Sequence, residues 1–291
     1  MATVVRSVTL LIQTPLLTVG EFRCPPEDVA WREPNVIGDR AHVVFPRIPV
    51  VIQHEGAAPV LATPNDAMLY NADQLYRREL RDEIGDDCVY IELPDESLAE
   101  LADEGAALVD GNGRLVASHV PTDRRTYLLQ HLLIRHLRSG SADPLMAEET
   151  AAALARSALR ERPRHDRSRR AAAAHRELAE GAKAELAAAL DRRLTLRDLA
   201  VRLHSSAFHL ARVFRAETGF SLQGFRQALR LRAALERLPS SGRDLSAVAL
   251  ELGFSSHSHF SERFRNEFGV TPSQVRDDRR VRALLQAAAR G

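Results

Sequence analysis

Two stretches near the C-terminus share one pattern, and that repeat constrains the fold more than anything else in the chain. They read LRDLAVRLHSSAFHLARVFRAETG (196–219) and LSAVALELGFSSHSHFSERFRNEFG (245–269). Each spells a short helix, a tight turn, a helix opened by a capping serine and a closing glycine. Aligning Gly219 with Gly269 pairs Ser206 with Ser256, Leu210 with Phe260, Phe214 with Phe264 and Arg215 with Arg265. Ala200 pairs with Ala249 or a near neighbour. Small residues there let two helices cross closely, as a helix-turn-helix requires. Two copies 50 residues apart do not make a solenoid. The pattern therefore calls for two helix-turn-helix units on one bridging helix.

The bridge runs from Ser221 through Leu238 and closes at Pro239. Thr195 caps the first short helix and Asp244 the second. Ala171 to Leu190 reads as one further helix before them. In each second helix an apolar stripe faces inward: Leu210, Val213 and Phe214, or Phe260, Phe264 and Phe268. The other face is polar or basic, with His209, Arg212 and Arg215 in one copy. His257, Ser258, Ser261, Glu262, Arg263 and Arg265 hold it in the other. Such a face on a capped helix after a tight turn suits the major groove of DNA.

Charge divides the chain the same way. Its 291 residues carry a formal net charge of +1. Residues 1–150 hold 13 Arg against 24 Asp plus Glu, a balance of −11, and 151–291 hold 27 Lys plus Arg against 15, a balance of +12. A basic half joined to an acidic half implies two tasks, the basic one facing a polyanion.

With these motifs in place, residues 171–280 resemble the AraC/XylS family of bacterial transcription regulators. The second copy contributes Ala249, Leu252-Gly253-Phe254, Ser256, Phe260, Phe264-Arg265, Gly269 and Thr271-Pro272. The first contributes Leu199-Ala200, Ser206, Leu210, Phe214 and Glu217-Thr218-Gly219, and the bridge Arg230-Leu231 and Ala234. One departure is Val275 before Arg276, where the family carries an aromatic. The resemblance implies an operator-binding module. It implies base reading by Phe208, His209, Ala211 and Arg212 in the first copy and His257, Ser258, Ser261 and Glu262 in the second. Arg212 suits guanine and Glu262 a cytosine amino group. Arg215, Arg263 and Arg265 are placed for phosphates, which set register without reading sequence. The alternative for Glu262 is an ion pair with a neighbouring arginine.

The first hundred residues read as short strands: Val4 to Ile12, His42 to Phe45, Val50 to Ile52 and Cys88 to Leu93, broken by Pro and Gly turns. That pattern predicts a sandwich or barrel. Two helices follow, from Asp123 through Leu137 and from Ala147 to Leu159, and are expected to pair. Family members often join the DNA module to a cupin-like β-barrel that binds an effector and dimerises, and the strand pattern is similar to that arrangement. The fold class expected is α+β: a cupin-like barrel with a helical hairpin (1–160), a basic linker (161–170) and an all-α DNA-binding domain (171–285). Trp31, His42, Tyr70 and Tyr76 are the candidate effector residues, since aromatics with a few polar groups line small-ligand sites.

A metal-binding cupin needs clustered His and Glu ligands, whereas His42, His54 and His119 stand apart, so no metal or cofactor is expected. Cys24 and Cys88 show neither metal spacing nor a disulfide framework. No apolar run spans a bilayer. A non-enzymatic, cytoplasmic regulator without membrane attachment is expected. Its partners would be double-stranded DNA, RNA polymerase, an unidentified small effector and a second copy of the chain. The alternatives are an enzyme or metal-binding cupin fused to a DNA-binding module, and a ligand-independent regulator whose barrel serves assembly alone.

Overall fold

A computed structural model describes residues 7–289 other than 82, 105, 141, 161–168, 193 and 239–243. The chain falls into two compact units. One joins the described residues up to 160 with 277–289, and the other spans 169–276. The linker expected over 161–170 lies outside the described residues up to 168, as does the helix stop expected at Pro239. Arg169 and Arg170 already belong to a helix.

In the first unit, β1 (Ser7–Gln13), β2 (Thr18–Cys24), β3 (Asn35–Val36), β4 (Ala41–Pro46) and β5 (Val50–His54) are followed by β6 (Val60–Ala62), β7 (Asp66–Tyr70), β8 (Leu75–Glu79), β9 (Asp86–Leu93) and β10 (His119–Pro121). They make two antiparallel sheets, ordered β1-β2-β9-β4-β7-β10 and β3-β8-β5-β6. This corrects the closed cupin-like barrel expected from the sequence. The second sheet ends in strands of two and three residues, and among the described residues no strand of it pairs with the first. Val44, Met68 and Tyr70 of the larger sheet pack on Val50, Ile52, Ala62 and Tyr76 of the smaller one. Tyr90 lies across Gly20, where any Cβ would meet its Oη at 2.2 Å.

The first unit also carries helices. These are α1 (Asp95–Asp103), α2 (Arg124–Arg138) and α3 (Pro144–Arg160). Asp123 caps α2 by accepting from the Thr126 amide at 2.7 Å. Asp143 accepts from the Met146 amide at 3.0 Å, so α3 begins at Pro144, ahead of the expected Ala147. The two helices pair as expected. At the end of α2, Arg138 donates to Glu21 of β2, which also binds Arg47. Burial would raise the Glu21 carboxyl, but Arg138 and Arg47 outweigh it and hold the group below the usual range.

The second unit is helical: α4 (Arg169–Ala188), α5 (Leu196–Arg202), α6 (Ala207–Thr218), α7 (Leu222–Arg237), α8 (Leu245–Glu251), α9 (His257–Phe268) and α10 (Pro272–Arg276). The last helix, α11 (Asp278–Ala289), packs on α2 and α3. By sequence, 278–285 groups with the helical module. Val281 and Leu285 instead bury themselves in the first unit, where Arg135 binds Asp278. A helix with one apolar stripe goes to whichever apolar surface is open to it.

Candidate nucleic-acid interface

Both copies are built by local capping chemistry. Thr195 and Asp198 form a reciprocal capping box at the start of α5. Ser206 accepts from the His209 amide at 3.2 Å and Ser256 from the His259 amide at 3.1 Å. Gly219 and Gly269 close α6 and α9 at φ 78° and 73°. The turn amides of Ser205 and Phe254 donate to Ala200 and Ala249 in equivalent bonds. His204 (φ 49°) and Gly253 (φ 73°) take the same left-handed place. The second turn is thus one residue longer, which is why the alanines pair at a different offset from the glycines.

Behind each outer helix lies an apolar core. Leu210 and Phe214 pack with Leu199, Ala200, Phe225 and Leu229. Phe254, Phe260, Phe264 and Phe268 form an edge-to-face chain. The bridge α7 runs through both, with Phe225, Leu231 and Leu235 buried.

The solvent faces carry the expected residues. Phe208 is 90% exposed, and Arg212 and Arg215 follow it on the same stripe of α6. Ser258, Glu262 and Arg265 occupy the matching stripe of α9, flanked by His257 and Arg263. Ala211 and Ser261 are half-buried at its margin, and Ala211 lines a groove of about 500 Å³ formed by α4 to α7. Among the described residues no carboxylate pairs with Arg212, Arg215, Arg263 or Arg265, and Glu262 has no ion pair. An exposed, N-capped helix whose guanidinium groups are not neutralised can meet base edges and phosphates together. Asn266 and Ala216 share the same stripes, and neither stands out by charge in the sequence.

The effector candidates gather only in part. Tyr70 and Tyr76 meet at 5.1 Å, and Trp31 packs on the same cluster. His42 instead sits beside Tyr90 and 3.3 Å from Glu92. At the centre of the cluster lies Arg78, which no sequence pattern marks. Its guanidinium binds Asp86 at 3.1 Å and the Tyr76 hydroxyl at 2.6 Å, under the rings of Phe22, Trp31 and Tyr76. Burial pushes Asp86 up to about 6 against the pull of Arg78. His54 packs at a tilt against Tyr70 and is lowered to about 4 by burial, with a smaller push from His119. Among the described residues no group of His, Cys, Asp and Glu could hold a metal, and no helix is long and apolar enough to cross a membrane.

Known proteins share the segment that carries the two copies. A family model described as a helix-turn-helix domain matches residues 199–278. The chain is 37% identical over 87 residues to the uncharacterized HTH-type transcriptional regulator YfiF of Bacillus subtilis, covering 30% of this chain and 27% of that protein. It is 31% identical over 87 residues to the right origin-binding protein of Escherichia coli, covering 30% of each. The chain thus spans less than a third of these relatives' length. A solved AraC-type regulator from Chromobacterium violaceum is 29% identical, over 36% of this chain and 93% of that one, at a TM-score of 0.34. Residues 199–278 carry a helix-turn-helix domain of the AraC type, shared with HTH-type transcriptional regulators.

Proposed function

We propose that the whole chain is a sequence-specific DNA-binding transcription regulator governed by a small effector. The observation that carries this is the pair of matching exposed stripes on α6 and α9, free of ion pairs among the described residues and set on a basic unit. In this reading Phe208, Arg212, Ser258 and Glu262 read base edges, with Ala211, His257 and Ser261 at the margin. Arg215, Arg263 and Arg265 hold phosphates. His209, expected among the base readers, has its ring engaged by Arg212 instead.

The two-sheet unit is the sensor. Trp31, Tyr70 and Tyr76, with Arg78, form its effector-facing cluster, and His42 marks a neighbouring position outside that cluster. The effector shifts the population of DNA-competent states in a cytoplasmic homodimer that works with RNA polymerase. No catalytic role is assigned.

Two measurements test this. Binding of the full chain to duplex DNA falls steeply with salt, each neutralised phosphate adding about −0.9 to the log–log slope. DNA binding with no salt dependence defeats the regulator reading. Thermal unfolding against a metabolite library tests the sensor, since a ligand at 100 times its Kd adds about 2.7 kcal/mol. A library with no stabilising member favours a sandwich that serves assembly alone.

A further inference from the structure

His209 and His259 occupy equivalent places, the third residue of α6 and of α9. Each backbone amide is held by its capping serine. Each ring then accepts from an arginine on the same helix. In α6, Arg212 Nη2 lies 3.0 Å from His209 Nδ1. Arginine only donates, so Nδ1 accepts and the neutral ring keeps its proton on Nε2. In α9, Arg263 Nε donates to His259 Nε2 at 3.5 Å, while His259 Nδ1 lies 3.0 Å from Ser255 Oγ. There the proton sits on Nδ1, which donates to the serine. The tautomers are opposite, and each follows from its partners.

His209 is held from behind as well. His175 of α4 meets it edge-on, with ring centroids 5.6 Å apart at 60°. A ring set between His175 and Arg212 has its acceptor engaged. It is poorly placed to read a base and well placed to aim the arginine that does.

We infer that His209 is a positioning residue that orients Arg212 for base reading, with His259 holding Arg263 in the same manner for phosphate contact. This rests on the DNA-reading role of Arg212 proposed above. A long arginine side chain loses rotamer freedom on binding a bidentate site. A prior hydrogen bond from Nη2 removes part of that loss and selects one fork orientation. The effect of His209 therefore appears at the base pair that Arg212 reads. The effect of His259 appears as a uniform change, because a phosphate carries no sequence information.

The test uses the full-length protein and a duplex library with a randomised core, selected with wild type and with Arg212→Ala, His209→Ala, His209→Asn and His259→Ala. Asparagine keeps an acceptor near the place of Nδ1. Arg212→Ala identifies one base pair by relaxing preference there. His209→Ala then relaxes the same base pair by roughly three- to tenfold, the range of a single hydrogen bond. His209→Asn restores most of that preference, a rescue that a merely structural role does not give. His259→Ala weakens all sequences alike. Thermal unfolding of each variant separates loss of folding from loss of reading. If Arg212→Ala relaxes a base pair that His209→Ala leaves unchanged, or His209→Ala relaxes a different one, the positioning role is overturned while the reading by Arg212 stands. If Arg212→Ala relaxes no base pair, both fall.

Discussion

Arg230 donates from Nε to the backbone carbonyl of Leu190, tying the middle of α7 to the chain leaving α4. Its Nη1 reaches the carbonyl of Gly253, 3.4 Å away in the turn of the second copy. One guanidinium thus satisfies carbonyls beyond a helix end and in the second turn. Burial, with the charge of Arg226 nearby, lowers Arg230 to about 10, against the weaker pull of Asp191. The bridge is more than a spacer, since it ties the second turn to the segment that follows α4.

That arrangement makes Gly253 sensitive. Its φ of 73° is left-handed, and a Cβ there would meet Arg230 Nη2 at 2.7 Å and the Asp191 carbonyl at 3.1 Å. Gly253→Ala therefore combines backbone strain with displacement of the arginine. A loss of about 1–3 kcal/mol is expected in denaturant unfolding of the full chain. At Gly219, with nothing within 4 Å and a similar φ, only the backbone cost applies. Equal losses at the two glycines would show that the Arg230 contact contributes nothing.

The starts of α5 to α9 were legible because capping is local. Thr195, Ser206, Ser221, Asp244 and Ser256 all cap the helices their types announce. The strands were less legible. β7 is buried along its whole length and so shows no alternation. Arg78 could not be read as an interior residue, because a buried arginine is tolerated only beside a partner such as Asp86, and only the folded chain brings that partner to it. The destination of α11 was hidden for the same reason, since its partners Arg135 and His136 lie far upstream. The exposed stripes of α6 and α9 were legible by helical period, whereas the His209–Arg212 bond needed side-chain geometry.

α11 is predicted to stabilise the first unit, although it follows the DNA-binding domain in sequence. Leu285 is fully buried and Val281 nearly so. Leu285→Ala is expected to cost about 2–5 kcal/mol. The measurement is the unfolding midpoint followed through Trp31, the chain's single tryptophan, which lies in the first unit. A midpoint unchanged by Leu285→Ala would remove α11 from that core.

His54 provides a pH signature. Burial holds its folded pKa at about 4, below the ordinary histidine value of 6.5. Stability from the neutral ring is present above pH 6.5 and is lost as pH falls toward about 4. Asp86, raised from 3.8 to about 6, works in the opposite direction over much of the same window. The wild-type curve hides both. His54→Phe keeps a ring against Tyr70 and removes the proton site. Its stability relative to wild type should therefore rise as pH falls from 6.5 to 4. Each tenfold difference in proton affinity between the folded and unfolded ring contributes about 1.4 kcal/mol to that rise. A pH-independent difference between the two proteins would show that His54 is not held neutral by burial.

The final prediction concerns how the two copies divide an operator. The bridge α7 has 16 residues. At about 1.5 Å per residue it spans roughly 24 Å. Two helices reading one face of DNA need centres about 34–36 Å apart, one helical turn. The half-widths of the flanking helices, about 5 Å each, bring the span to that scale. Arg212→Ala and Glu262→Ala should then relax base pairs about 10 bp apart, each at a cost of roughly 1–3 kcal/mol. Arg265→Ala should weaken every sequence alike and lower the salt slope by about one. Leu231 is buried in α7, and Leu231→Pro would break the bridge and uncouple the two half-sites. Selection on randomised duplexes with the full chain measures the spacing directly. Relaxed positions within one major-groove segment, or a Glu262→Ala profile identical to wild type, would mean that α9 supports the domain without reading sequence.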